Sequence, residues 1–274
     1  MHFWKTLPIL LGLSLVPSAF AAPNLKTVGI YVGNNQFPGL RTNDLRGCIN
    51  DANQYADAFQ KVLGNVEEHR LLNVSVEQFK QEFQQVVARC KSGEVGRFIL
   101  TISSHGTTWP SADGKSATQA IVFSDVNSAM TVGLLDDTTF RKMLDQIPAN
   151  VGVELLLDTC YSGGVTRDLL ASREVLQWNP RYVPHPRFRP GLPVIKPRAI
   201  RGVGTEHLAE WAACSETQTS ADAKIGGDYH GAFTYTWVRN FLLNRAQPRS
   251  ELIKAVSVEI SQVAYGQKPQ LLTQ

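Results

Sequence analysis

From Thr27 to Leu157, short apolar runs alternate with stretches of helical period, which leaves few folds open. Thr27-Val-Gly-Ile-Tyr-Val32, Arg97-Phe-Ile-Leu-Thr-Ile-Ser103 and Val151-Gly-Val-Glu-Leu-Leu-Leu157 read as buried strands, and Leu71–Val74 and Ala120–Phe123 as shorter ones. Between them, Asp44–Leu63 sets Leu45, Ile49, Ala52, Tyr55, Ala56, Phe59, Val62 and Leu63 on one helical face, with Asp44 as the expected cap. Ser75-Val-Glu-Gln78 is a capping box opening a helix through Val87, and Asp137-Thr-Thr-Phe140 opens one that stops at Pro148. Strands that alternate with helices predict an α/β fold, a mostly parallel sheet with helices on both faces.

The pattern breaks at residues 165–205. This stretch holds Pro180, Pro184, Pro186, Pro190, Pro193 and Pro197 among Arg167, Arg173, Arg181, Arg187, Arg189, Lys196, Arg198 and Arg201. So long a connection without periodicity reads as a flexible loop inserted in one domain spanning 22–274. Order is expected to resume with a strand at His207–Ala213, helices near Phe233–Leu243 and Ser250–Ala264, and a short tail at Pro269–Thr273.

Composition removes several functions. Twelve Phe, 5 Trp and 7 Tyr among 274 residues exclude a disordered chain. A net charge of +3 is too small for a nucleic-acid face, and no glycine-rich phosphate loop follows a strand. Residues 1–21 read as a signal peptide: Lys5, the apolar run Leu7–Val16, then Ser18-Ala-Phe-Ala21. That run is shorter than the ~20 residues a membrane helix needs, so the expectation is export to the periplasm or medium without a stable anchor. In an oxidising compartment Cys48, Cys90, Cys160 and Cys214 allow two disulfides by three pairings, or one if a cysteine serves as a nucleophile.

Two of the strands end on reactive side chains. Ser103-Ser-His105-Gly106 follows one and Asp158-Thr-Cys160-Tyr-Ser-Gly-Gly164 the other. Ligands of open α/β sheets bind at the carboxyl ends of strands. Singly, a cysteine there is ordinary core material and a histidine an ordinary loop residue. As a pair they match the needs of a thiol nucleophile: an imidazole to take its proton, and glycine-flanked amides to hold an oxyanion.

These motifs resemble those of caspase-type cysteine peptidases, with Cys160 lying 55 residues after His105. Leu45-Arg-Gly-Cys48-Ile-Asn-Asp51-Ala52 and Gln267-Lys-Pro-Gln270 resemble bacterial metacaspases more specifically, over about Thr27 to the C-terminus. The resemblance implies Cys160 as nucleophile, His105 as general acid/base and the Gly106 and Cys160 amides as the oxyanion hole. It places Asp51, Ser103 and Asp158 around the pocket for the residue before the cut. Carboxylates suit an Arg or Lys there, so protein or peptide substrates cut after basic residues are expected, and the 165–205 segment becomes a processing loop. Many metacaspases need calcium. Asp136-Asp137 fits an acidic pair, but Asp113 and Asp125 are sparse, Asp168 stands apart and Asp137 suits a helix cap, so no cofactor is assigned. A monomer is expected. The alternatives are a catalytically silent peptide-binding protein on the same fold, and a related peptidase directed to Asn or Asp.

Overall fold

The computed structural model describes residues 25–41, 43–161, 178–194, 207–215, 218–262 and 266–273. The signal-peptide reading of 1–21 lies outside them, as do 165–177 and 195–205 of the expected loop.

A six-stranded sheet forms the centre, in the order β12-β9-β7-β3-β1-β2. Its strands are β1 (Lys26–Gly33), β2 (Val66–Leu72), β3 (Val95–Ser103), β7 (Gly152–Asp158), β9 (Leu208–Ala212) and β12 (Gln270–Thr273). All neighbours run parallel except β12 against β9. Successive side chains of a strand point to opposite faces, and the core divides accordingly. Ile30, Val32, Leu155 and Leu157 face α2 (Val76–Lys91) and α3 (Asp137–Leu144). Tyr31 and Leu156 face α1 (Cys48–Leu63), α4 (Ala232–Leu243) and α5 (Arg249–Ser261). The expected parallel sheet with helices on both faces is what the chain forms.

Trp237 of α4 anchors the second face. Its ring lies 5.6 Å from Tyr55, 5.7 Å from Phe59, 5.6 Å from Trp211 and 4.8 Å from Phe241. Each such pair contributes roughly 0.5–1.5 kcal/mol beyond its buried area. The cluster fixes the starts of α1 and α4, and with them Asp51 and Thr234, against the carboxyl edge of the sheet.

Some boundaries differ from the sequence expectation. Helix α1 starts at Cys48 behind Gly47, because Asp44 accepts a hydrogen bond from the Phe37 amide instead of capping. The Ser75/Gln78 capping box forms, and α2 runs on to Lys91. Helix α3 is capped by Asp136, which accepts from the Thr139 amide, not by Asp137. It ends at Leu144, short of Pro148.

Two small sheets flank the carboxyl edge. One joins β4 (Gly106–Pro110), β5 (Ala117–Val122) and β6 (Leu134–Asp136). The other has the order β11-β10-β8, from β8 (Trp178–Pro180), β10 (Ala221–Ile225) and β11 (Asp228–Gly231). Strands β10 and β11 form a hairpin over Gly226-Gly227, at φ 65° and 104°. A tight turn with both central residues at positive φ favours this dipeptide.

Candidate active site

Strands β3 and β7 pair in parallel with Ser103 opposite Asp158. His105 and Cys160, each two residues further on, therefore leave the sheet as neighbours on strands ~4.8 Å apart. Gly106 permits the close approach, since a Cβ there would stand 2.0 Å from the Cys160 carbonyl oxygen. His105 is buried, its ring 4.8 Å from that of Phe37. Its Nε2 lies 2.6 Å from the Asn43 carbonyl. A carbonyl only accepts, so Nε2 carries the proton and Nδ1 keeps the lone pair. That Nδ1 is buried with no hydrogen-bond partner. Burial, opposed by the Asn43 carbonyl, pushes the ring down to about 4, so at neutral pH it is an uncharged base. Cys160 is buried as well, and its Sγ donates to the Gln218 carbonyl at 3.0 Å. Cys214 Sγ shares that acceptor at 3.5 Å. All four cysteines are thiols, so neither disulfide allowed by the sequence forms.

Beside this pair lies a fully buried acidic pocket. Asp51 comes from the first turn of α1, Asp158 from the end of β7 and Asp222 from β10. The guanidinium of Arg181 occupies it. Nη2 donates to Asp51 at 2.6 Å and Asp222 at 3.0 Å, and Nη1 stands 3.2 Å from Asp158. Fixed donors hold each carboxylate: the Gly231 amide on Asp51, Ser220 and Thr234 on Asp158, and the Arg46 and Gly47 amides on Asp222. One guanidinium cannot neutralise three buried carboxylates. Burial raises Asp51 to about 7, with Arg181 pulling it down and Asp158 pushing it further up. Burial alone would lower Arg181, but Asp158 and Asp51 outweigh that and raise it. Ser103 is buried next to Asp158, and no hydrogen bond links its Oγ to the guanidinium.

The main chain around Arg181 is extended. Strand β8 pairs antiparallel with β10, Trp178 opposite Ala223, Asn179 opposite Asp222 and Pro180 opposite Ala221. The Arg181 amide donates to the Ser220 carbonyl at 2.9 Å. Its carbonyl accepts from the Gly106 amide at 2.9 Å, and the Val183 amide donates back to the Gly106 carbonyl at 3.0 Å. Residues 178–183 thus thread the cleft, the arginine side chain down among the acids and its carbonyl on the amide that follows His105. Within the expected loop over 165–205, residues 178–183 contribute an added strand and the arginine of a buried ion cluster.

A caspase-domain profile matches residues 27–274. The chain belongs to the caspase family. It is 25% identical over 285 residues to metacaspase-1 of Coccidioides immitis, covering 90% of this chain and 61% of that protein. It is 26% identical over 149 residues to metacaspase-7 of Arabidopsis thaliana, covering 50% of this chain and 34% of that one. The chain therefore spans less than two thirds of the length of these curated relatives. Its fold matches a crystal structure of a Geobacter sulfurreducens protein with a TM-score of 0.62 at 18% identity, covering 90% of this chain and 93% of that one. It also matches caspase-1 of Spodoptera frugiperda, with a TM-score of 0.56 at 11% identity, covering 91% and 88%. The pairing of β3 with β7 sets the two motifs that resemble those of the family side by side at the carboxyl edge of the sheet.

In this caspase-type site, sequence reasoning missed Asp222, Arg181 as the pocket's occupant, and the Asn43 carbonyl that orients His105. The Gly226-Gly227 turn was the available signal for the hairpin that carries Asp222. Nothing local marks one arginine among the seven of that stretch, or a backbone carbonyl. The acids considered for calcium are engaged separately. Asp136 caps α3, Asp137 accepts from the Thr138 amide, Asp113 binds Ser111, and Asp125 accepts from the Val76 amide. They do not converge, and among the described residues no group of three or more His, Cys, Asp or Glu is placed to hold a metal. Asp168 lies outside the described residues.

Proposed function

We propose that the chain is an exported cysteine endopeptidase that hydrolyses peptide bonds after Arg or Lys. The observation that carries this reading is Arg181: its guanidinium sits on Asp51, Asp158 and Asp222 while its carbonyl accepts from the Gly106 amide. In this reading His105 Nδ1 takes the Cys160 proton and the thiolate attacks the carbonyl carbon. The Gly106 and Cys160 amides stabilise the oxyanion, and His105 returns the proton to the leaving amine. Water then hydrolyses the thioester, with His105 again as base. The buried acids favour a basic side chain, because an Asp in their midst would add uncompensated negative charge.

Self-processing is part of the proposal. Arg181–Tyr182 is the bond in position, and while it is intact the segment keeps other peptides out. Incubated mature protein should yield a fragment beginning at Tyr182 by N-terminal sequencing, and Cys160→Ala should stay whole. Fluorogenic peptides ending in Arg or Lys should be cut, with and without calcium present, while those ending in Asp or Asn should not. Hydrolysis after Asp would refute the acidic-pocket assignment. Full Arg-peptide activity in Cys160→Ala would refute the nucleophile. Fractionation of expressing cells tests export, and size-exclusion mass tests the monomer.

A further inference from the structure

The sequence left three pairings open among four cysteines, and the fold separates them. Cys90 belongs to the core under α2, with Phe83 and Val86, and Cys48 to another apolar cluster, with Phe37 and Val122. Cys160 and Cys214 instead follow the paired strands β7 and β9, where Leu157 stands opposite Ala212. Their sulfurs converge on one oxygen, the Gln218 carbonyl, at 3.0 Å and 3.5 Å. A hydrogen bond to Cys160, ahead of burial, raises the Cys214 thiol well above its ordinary value. The frame around Cys214 is fixed. The Ala213 amide donates to the Leu157 carbonyl at 2.9 Å, and the Gln267 side chain donates to the Ala213 carbonyl at 2.9 Å. The same side chain accepts from the Ala221 amide at 3.2 Å. Cys160 is buried and Cys214 half-buried. The peptidase reading employs the first thiol and gives the second no task.

We propose that Cys160 and Cys214 form a reversible disulfide site, in which a hydroperoxide converts the nucleophile and its neighbour into a locked, inactive pair. The Cys160 sulfur, its proton passed to His105, attacks the peroxide O–O bond. Hydroxide leaves and takes that proton to become water, and Cys160 becomes a sulfenic acid. The Cys214 sulfur then attacks the Cys160 sulfur. The S–O bond breaks, and the departing hydroxide takes the Cys214 proton as a second water. Two thiols have lost two electrons and two protons to one peroxide. A small thiol returns both by exchange. The bond stops Cys160 from passing on to the sulfinic and sulfonic acids, which thiols do not reverse. The loss of activity rests on the peptidase reading of the site; the bond itself rests on the two sulfurs alone.

The test treats the reduced mature chain with hydrogen peroxide, blocks the remaining thiols with N-ethylmaleimide in urea and maps its peptides without reduction. A linked pair carrying Cys160 and Cys214 is expected, with Cys48 and Cys90 alkylated. Hydrolysis of an Arg peptide should be lost in step with that linkage and return on adding dithiothreitol. Under excess peroxide, Cys214→Ser should lose activity without return, its Cys160 found as sulfinic or sulfonic acid. A map in which Cys160 is alkylated, overoxidised or joined to any other cysteine overturns the disulfide site, as does equal recovery of Cys214→Ser. If Arg peptides are cut and no linkage forms, this inference falls alone. If the linkage forms and no Arg peptide is ever cut, the peptidase reading falls and the disulfide stands. The wild-type map decides the question even where Cys214→Ser fails to fold.

Discussion

Two of the clusters built from arginine and carboxylates, around Arg89 and around Arg181, are set apart by their surroundings. Arg89 joins Glu67 at 2.6 Å and Glu94 at 2.8 Å on the surface, with Lys26 alongside. Arg181 joins Asp51, Asp158 and Asp222 at similar distances with no solvent at all. The surface cluster has two basic groups for its two acids and is partly open to water, and its arginine holds both carboxyls below their ordinary values. The buried cluster has one cation for three acids, and Asp51 is driven up to about 7 instead. Similar contact distances thus give a screened network in one place and an electrostatic trap for a cation in the other.

Breaking the buried cluster should have the largest effect. In a Cys160→Ala background, which prevents self-cleavage, Arg181→Ala is expected to cost about 3–5 kcal/mol, since it strands buried carboxylates. Thermal unfolding measures this. Millimolar N-acetyl-arginine amide should restore part of the lost Tm, and a loss with no such rescue would mean a structural ion cluster rather than a substrate pocket.

Gly231→Ala comes next. Its Cβ would meet Asp158 Oδ2 at 2.1 Å and Arg181 Nη1 at 2.7 Å, so one acid must move. The expected cost is about 1–3 kcal/mol, read as a lower urea midpoint with an unchanged slope.

The pH dependence sharpens the contrast further. His105 falls from 6.5 to about 4, so its contribution to stability is present above pH 6.5 and is lost as pH drops towards 4. Asp51 rises from 3.8 to about 7, so its contribution is present below pH 3.8 and is lost as pH climbs towards 7. Over nearly the same window the two oppose each other. Asp51→Asn should therefore give a protein whose stability falls more steeply than wild type on going from pH 7 to pH 4. His105→Gln should tilt the profile the other way. Parallel profiles for all three proteins would rule out these assignments. Arg89→Ala should do least, leaving Tm within about 2 °C of wild type, because exposed pairs contribute little.

The His105 and Cys160 half of the candidate site was legible in the sequence because it is local. Two apolar strands carry His105 and Cys160 at fixed offsets from their ends, and parallel pairing with Ser103 opposite Asp158 does the rest. Asp51 and Asp158 were legible through the resemblance of their motifs. Asp222 and Arg181 were not, because a charged residue shows its environment only after distant elements have closed over it.

Periodicity, capping signals and the order of strands and helices by themselves determined the layered α/β architecture and the neighbouring cysteine and histidine. These are short-range properties, set by side-chain alternation and by which faces must leave water. Only the tertiary structure decided which of eight basic residues in a proline-rich stretch enters the acidic pocket, and that three acids rather than two receive it. Burial depends on the sum of contacts among α1, β7, β8, β10 and α4, and no window of the sequence contains that sum.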